Sequence, residues 1–339
     1  MSATTQYTDF SDLYTGLQNA VRVQTGVTAT ENQAKRYINI GLQDMHLGFQ
    51  ERYPWAERSA ILITQPKYAT GTVAISKGGV SVTGTSTAWA TANDFSVNNA
   101  RIGGKIVIDG GFQAYEVTAV GSDTTMTIGS QFTEDTVTAA TYVYFEDEYD
   151  LASDFGRPVD ARQLSEALRI DLVSRTEFRQ RYARNNIVGV PTVGCIHNKV
   201  PSGSTALTRR VQLHKPPEKA ISITYSYITT NLVISSAGAA QVSFSADADE
   251  PLVPLQYRHA IFFHALYHWY RDKKDDTRSA EAKAEYTDIM VRLTSDNEIG
   301  DVRPRLIPRI SHYSRNARSP YRSGGSRYDI NNRFDRFED

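Results

Sequence analysis

Apolar residues near the amino terminus recur at spacings of three and four, which is the period of one face of an α-helix. The pattern occurs twice, in Phe10, Leu13, Tyr14, Leu17 and Val21 and again in Ala34, Ile38, Gly41, Met45 and Phe49. Gly26 lies between the two runs, and Pro54 follows the second at a position where prolines often end helices. The sequence therefore predicts an antiparallel helical hairpin over about residues 5 to 53.

Between residues 68 and 146 the pattern changes to short β-prone runs separated by Gly, Asn and Asp. Gly78-Gly79 and Gly110-Gly111 stand where tight hairpin turns require positive φ. A strand at Ser59–Gln65 is predicted to lead into this segment. We expect a small all-β barrel or sandwich, inserted between the flanking segments.

Both alternation and helical spacing occur in the second half of the chain. Val211–Tyr227 alternates on either side of Pro216-Pro217 and is predicted to be a β-hairpin. Two further helices are predicted at Pro254–Lys274 and Ser279–Asp296. They form the second helical hairpin of the chain.

Together the patterns predict an α+β protein. Its core is expected to be a helical bundle built from the N- and C-terminal helical hairpins, with an inserted small all-β barrel or sandwich and an extended C-terminal arm. The predicted divisions are 1–67 for the first hairpin with its linking strand, 68–146 for the inserted β domain, 147–300 for the mixed strands and the second hairpin, and 301–339 for the arm.

Composition narrows the classes of function. The 339 residues are 40% hydrophobic and 22% charged, which is ordinary for a globular protein. A net charge of -1 argues against a dedicated nucleic-acid binder, which is usually basic. The single cysteine, Cys195, allows no internal disulfide and no cysteine-based metal cluster. No apolar run approaches the length of a membrane span, so we expect no membrane partner.

The first C-terminal helix is apolar around its whole circumference. Such a helix must be covered on most sides, either by its own fold or by a neighbouring subunit. We expect it to form a subunit interface through Tyr257, Phe262, Phe263, His264, Tyr267, His268, Trp269 and Tyr270.

The arm, residues 301–339, contains nine Arg, no Lys and five acidic residues, so its charge is +4. Its prolines and Gly324-Gly325 interrupt helices, and it lacks apolar periodicity. We expect it to become ordered against a partner, and a plain disordered tail or an arm that contacts nucleic acid are the alternatives. The predicted docking residues are Arg303, Arg305, Arg309, Tyr313, Arg315, Arg318, Tyr321, Arg322, Arg327, Tyr328, Arg333, Phe334, Arg336 and Phe337.

Candidate chemistry is sparse. His264 and His268 have the i, i+4 spacing of a shared metal site, but Ala265 stands where a metalloprotease has its Glu, so packing or interface histidines are the favoured interpretation. Cys195, two residues before His197, is interpreted as a buried thiol rather than a nucleophile.

An acidic run offers the other candidate chemistry, as a cation site or as paired carboxylates. It consists of Glu146, Asp147, Glu148, Asp150 and Asp154. It lacks the spacing of a calcium loop, so we interpret it as a solvated linker, with a docking surface for a basic partner as a further option. No catalytic residue, cofactor or metal ligand is predicted.

The order of the segments resembles that of the head-to-tail adaptor (connector) proteins of tailed bacteriophages. Tyr149–Phe155 is similar to their Leu-Pro-x-Asp-Phe turn, with Ala152 in place of the proline. Val211–Tyr227 is similar to their strand, Pro-rich turn and strand ending in Tyr-x-Tyr, and Glu250–Pro254 leads similarly into an aromatic helix. The segment Ser76–Trp89 looks like a small β module that recurs in phage structural proteins.

The resemblance implies a non-enzymatic structural protein of the virion neck, made in the host cytoplasm. Such adaptors form rings, usually of twelve copies, beneath the portal, where they extend the DNA channel and provide a platform for the tail. The implied partners are further copies of this chain, the portal protein, tail, nozzle or tail-fibre proteins, and genomic DNA passing through without sequence-specific binding. Alternatives are another tail or collar component, or a virion-associated hydrolase that uses the acidic run or His264 and His268.

Overall fold

A computed structural model of the protein describes residues 7–23, 26–48, 53–165, 168–182, 187–201 and 204–301, without the side chains of residues 47–48 and 294–301. The chain divides into two compact units, residues 1–286 and 287–339. The helices of the described part are α1 (Phe10–Ala20), α2 (Thr28–Gly48), α3 (Arg175–Arg181), α4 (His259–Asp272) and α5 (Asp276–Asp301).

Seventeen strands outnumber the helices in the described residues. They are β1 (Glu57–Ile63), β2 (Thr72–Ile75), β3 (Ser81–Thr85), β4 (Lys105–Ile108), β5 (Tyr115–Ser122), β6 (Thr125–Ile128), β7 (Val137–Ala140), β8 (Tyr142–Phe145), β9 (Glu148–Asp150), β10 (Phe155–Pro158), β11 (Asp171–Leu172), β12 (Val193–Lys199), β13 (Thr208–His214), β14 (Ser222–Thr229), β15 (Val233–Ile234), β16 (Ala240–Gln241) and β17 (Glu250–Pro251).

The predicted helical bundle is wrong, because the described part of the chain is mostly β. The strands form four sheets, of which the largest is a curled, seven-stranded half-barrel rather than a small closed insert. Helices were predicted in both terminal regions, and α1, α2, α4 and α5 lie there. The error concerns the core, since a helix with one apolar face must pack against something but does not determine what.

The seven-stranded sheet contains β2 to β8 in the order β7-β2-β3-β6-β5-β4-β8. Buried and exposed residues alternate most clearly in β3, where Val82 and Gly84 are buried between exposed neighbours. The buried side chains form one core that includes Trp89, whose indole nitrogen donates a hydrogen bond to Tyr142 at 2.9 Å. Trp89 is thereby buried without an unsatisfied donor.

Three smaller sheets form around this half-barrel in the same unit. Their strand orders are β1-β14-β10, β11-β12-β13-β9 and β16-β15-β17. The first two share an apolar core that contains Leu62, Val211, Leu213, Ile223 and Tyr225. These pairings use strands from the linking segment before residue 68 and from the mixed segment after residue 146.

The hairpin predicted over Val211–Tyr227 is also wrong. β13 pairs with β12 and β9, whereas β14 pairs with β1 and β10. Pro216-Pro217 therefore carries the chain from one sheet to another. The alternation on either side of the prolines identified two strands correctly, but alternation does not name a strand's partner.

The helices α1, α2 and α4 pack against one another in a separate layer. Asp9 caps α1 by accepting a hydrogen bond from the backbone of Asp12 at 2.9 Å. Gly41 allows α2 to approach α4 closely, because a Cβ at this position would lie 2.9 Å from the carbonyl oxygen of Ile261. This close approach brings the next turn of α2 up to the side chains of α4.

Candidate functional site

Helix α4 contains all of the predicted subunit-interface residues except Tyr257, which lies in a short 3-10 helix just before it. The rest of the chain covers much of α4. Phe262 and Trp269 are buried. Phe262 stacks on Tyr7 with ring centroids 5.0 Å apart, and Trp269 meets the edge of Tyr37 at 5.9 Å. The remaining predicted interface residues are half-buried, namely Tyr257, Phe263, His264, Tyr267, His268 and Tyr270.

Cationic side chains of the same chain lie against the half-buried aromatic rings of α4. The guanidinium of Arg271 lies 5.2 Å from the centre of the Tyr267 ring, and that of Arg278 lies 5.7 Å from the Tyr270 ring. Such contacts contribute about 0.5 to 1 kcal/mol at exposed sites. The role of α4 as a subunit interface stays a prediction.

His264 and His268 face a carboxylate that sequence analysis did not identify. The Oδ2 atom of Asp44 on α2 lies 3.8 Å from Nε2 of His264 and 3.4 Å from Nε2 of His268. One candidate ligand atom from each of the three residues lies within 4.8 Å of the others. The i, i+4 histidine spacing was the only sequence signal for this cluster, because Asp44 reaches it through the packing of α2 on α4.

Burial makes both histidines of this cluster weak bases. It lowers the pKa of His264 to about 4, with a further contribution from the neighbouring His268. Burial also lowers the pKa of His268, followed by the charge of Arg271. Both imidazoles are therefore neutral at pH 7, whereas the Asp44 side chain is 48% exposed to solvent.

The acidic run is not the solvated linker that sequence analysis predicted. Glu146, Asp147 and Glu148 are all buried, Asp147 completely. Arg101 donates to Glu146 through its guanidinium, with Nε 2.9 Å from Oε2, and Lys105 lies 2.8 Å from Asp147. The carboxylates therefore hold strands together.

Glu148 is the centre of the second part of this ion-pair network. Its carboxylate lies 2.8 Å from the ammonium of Lys199 and 3.6 Å from the guanidinium of Arg210. The Nε2 atom of His197 lies 3.9 Å away. Burying three carboxylates is costly unless each is paired, and each of the three here has a cationic partner.

Cys195 is completely buried in β12, as the sequence interpretation held. Burial raises the pKa of its thiol. His197, on the same face of the strand, has its pKa lowered by burial. Burial thus favours the protonated thiol, which is the less nucleophilic form of cysteine.

A further surface was missed by sequence analysis. On β1, Ile61 and Ile63 point outward and are 65% and 54% exposed. Their cross-strand neighbours Thr224 and Ser222 are exposed as well. The sequence does contain a signal for this surface, the unbroken apolar run from Ala60 to Ile63. Only alternate residues of a strand can face the core, so the others of this run must face outward.

The predicted docking residues of the arm, from Arg303 to Phe337, lie outside the described residues. Comparisons of the sequence with protein families and with curated proteins found no match. Within the described part of the chain, no helix combines the length and apolarity needed to cross a membrane. Functional conclusions therefore come from the residues of the chain itself.

Proposed function

We propose that the chain is a structural protein of a virion, a head-to-tail adaptor that forms a ring beneath the portal. In this role the ring extends the DNA channel and presents a docking platform for the tail or nozzle. The arm docks on the portal or on a neighbouring copy. The resemblance of Tyr149–Phe155 and of the segments around α4 to adaptor proteins suggests this role, and two structural features support it.

The exposed face of β1 is the observation that carries the proposal. Among the described strands, β1 pairs only with β14, so it lies at an edge of its sheet. Ile61 and Ile63 add an apolar surface beside that edge. Proteins usually protect such edges with charge, prolines or a covering segment, and an apolar edge is typical of a surface that another chain covers.

A second copy of the same chain is the proposed occupant of this face. A closed ring needs a head-to-tail contact between two different surfaces of each subunit. Burying the two isoleucine side chains in such a contact contributes about 1.5 to 3 kcal/mol each. A contact repeated around a ring accumulates this energy in every subunit.

The buried acidic run supports a structural rather than a hydrolytic role. Glu146, Asp147 and Glu148 were the best candidates for catalytic or cation-binding carboxylates. Each has a cationic partner at the junction between sheets. Such pairing compensates the buried charge of each carboxylate and favours a role within the fold.

Copy number in the particle tests the proposal directly. Quantitative mass spectrometry of virions that carry this chain should find about a dozen copies per particle, as expected for a cyclic ring at the neck. Hundreds of copies would identify a tube or a capsid-decoration protein instead. Absence from the particle would overturn the structural role altogether.

A pair of variants tests the β1 contact itself. The double substitution Ile61→Lys with Ile63→Lys should weaken the affinity between subunits at least tenfold, because it would bury two charges in the contact. Ring formation should fall accordingly. Leu207→Lys is the matched control, since Leu207 is 64% exposed but lies in a loop. Native mass spectrometry and electron microscopy of the assembled protein report the outcome. Rings that form equally well in both variants would exclude β1 as the contact.

A further inference from the structure

We propose that Asp44, His264 and His268 form a binding site for one divalent transition metal ion, and that Zn²⁺ is the ion that fits it best. The site joins α2 to α4. It goes beyond the adaptor role, since it depends on no other copy of the chain and on no virion partner.

The spacing of the three side chains fits a tetrahedral ion. Zinc bonds to histidine nitrogen and carboxylate oxygen are about 2.0 to 2.2 Å, which places neighbouring ligand atoms about 3.3 Å apart. The two distances from Asp44 Oδ2 to the Nε2 atoms are 3.4 and 3.8 Å. Small rotations of the imidazoles bring all three atoms onto one ion, with water as the fourth ligand.

The same distances are poor for hydrogen bonds. An N–H···O bond has its donor and acceptor about 2.7 to 3.2 Å apart, so a separation of 3.8 Å is too long. The Nε2 atom of His268 and the Nδ1 atom of His264 are buried and have no hydrogen-bond partner in the described structure. A metal ion bound here gives Nε2 of His268 the partner that it lacks.

The chemistry of the donor set favours zinc over calcium or magnesium. Two imidazole nitrogens with one carboxylate suit borderline metals, whereas calcium and magnesium select oxygen ligands. The partly exposed carboxylate of Asp44 provides a route for the ion from solvent.

Aromatic neighbours hold the two imidazole rings in place. Tyr37 stacks on His268 with centroids 6.2 Å apart, and Tyr286 meets His264 edge-on at 4.5 Å. Arg271 approaches Nδ1 of His268 at 3.3 Å. When a metal ion binds Nε2 of His268, the ring proton is on Nδ1. A guanidinium can only donate hydrogen bonds, so the exposed Arg271 side chain must turn away from this protonated nitrogen.

Zinc titration of the full-length protein tests the site. After removal of metal with a chelator, isothermal titration calorimetry should show one Zn²⁺ per chain with micromolar or tighter affinity. Bound Co²⁺ should give the visible absorption of a tetrahedral ion. Asp44→Asn should weaken binding about tenfold or more, and His264→Asn with His268→Asn should abolish it. Arg271→Gln should strengthen binding, because it removes a nearby positive charge.

His214→Asn is the matched control, since this half-buried histidine on β13 lies outside the cluster. It should leave the zinc titration unchanged, and circular dichroism should show that every variant remains folded. Absence of stoichiometric binding by the wild-type chain would overturn the proposal. Binding that survives unchanged in Asp44→Asn and in the double histidine variant would overturn it as well.

Discussion

Asp154 fastens the chain leading into β10 onto β14. Its carboxylate accepts a 2.7 Å hydrogen bond from the hydroxyl of Tyr227 and a 2.6 Å bond from that of Thr229. Burial by itself would raise the pKa of Asp154, but these hydrogen bonds together outweigh it and lower the pKa below the ordinary value of 3.8. The ionised carboxylate is therefore the form that the folded protein stabilises.

Asp154→Asn should lower the free energy of unfolding by about 1.5 to 3 kcal/mol at pH 7, which is typical for hydrogen bonds to a charged group. The pKa of Asp154 is lower in the folded protein than in the unfolded chain. The extra stability of the wild-type protein over Asp154→Asn is therefore complete above pH 3.8, and it is lost as the pH falls through the folded-state pKa. Urea denaturation at pH 7 and at a series of acidic pH values measures this. A difference between the two proteins that does not shrink in acid would contradict the argument.

Asp154 and Tyr227 show how much of such a contact the sequence alone can predict. The turn Tyr149–Phe155 and the alternation that ends at Tyr227 were both recognised in the sequence, but as separate features. Their contact depends on β10 and β14 being neighbours in one sheet. Side-chain partners of this kind follow from tertiary pairing, so no spacing along the chain predicts them.

At the level of elements, the packing of α2 on α4 depends on Gly41. The position lies on the apolar face that predicted the helix, and it packs where only a hydrogen atom fits. Asp44 follows about one turn later and therefore reaches His264 and His268. An apolar face predicted α2 and an all-round apolar run predicted α4, and the structure confirms both helices. Neither pattern predicted the contact between them, which depends on the shapes of two faces that are distant in the chain.

Gly41→Ala should destabilise the protein by about 1 to 3 kcal/mol, the usual cost of overpacking, although alanine has the higher helix propensity. The added Cβ would lie 2.9 Å from a backbone oxygen, which cannot move without shifting α4. Gly16→Ala in α1 is the control, because its Cβ would lie 2.8 Å from the side-chain ring of Tyr7 rather than from a backbone atom. Thermal unfolding should show a larger loss of stability for Gly41→Ala than for Gly16→Ala. A gain in stability for Gly41→Ala would refute close packing of α2 on α4.

For the molecule as a whole, buried ion pairs join sheets that are otherwise separate. Lys105 belongs to the seven-stranded half-barrel, whereas Asp147 follows its last strand. Asp147 also accepts a 2.8 Å hydrogen bond from Gln212 on β13 of the four-stranded sheet. This pair therefore lies where the chain passes from one sheet to the next.

Lys105→Met should cost about 3 kcal/mol of stability, because it leaves the charge of Asp147 buried without its lysine partner. Adding Asp147→Asn should recover most of this loss, since the uncharged amide still accepts the bond from Gln212. Lys77→Met is the control, because its pair with Asp135 is exposed and such pairs contribute about 0 to 1 kcal/mol. Equal losses for Lys105→Met and Lys77→Met, measured by urea denaturation, would disprove a special role for the buried pair.

By itself, the sequence determined where helices and strands form, because periodicity, capping residues and turn glycines act over a few neighbouring residues. It placed two helices at each end and a dense series of strands before Phe145, and the structure has them there. Only the tertiary structure decided which strands share a sheet and that Asp44 meets His264 and His268. Those outcomes depend on contacts between distant segments, and the hydrophobic pattern specifies that a face is buried without specifying its partner.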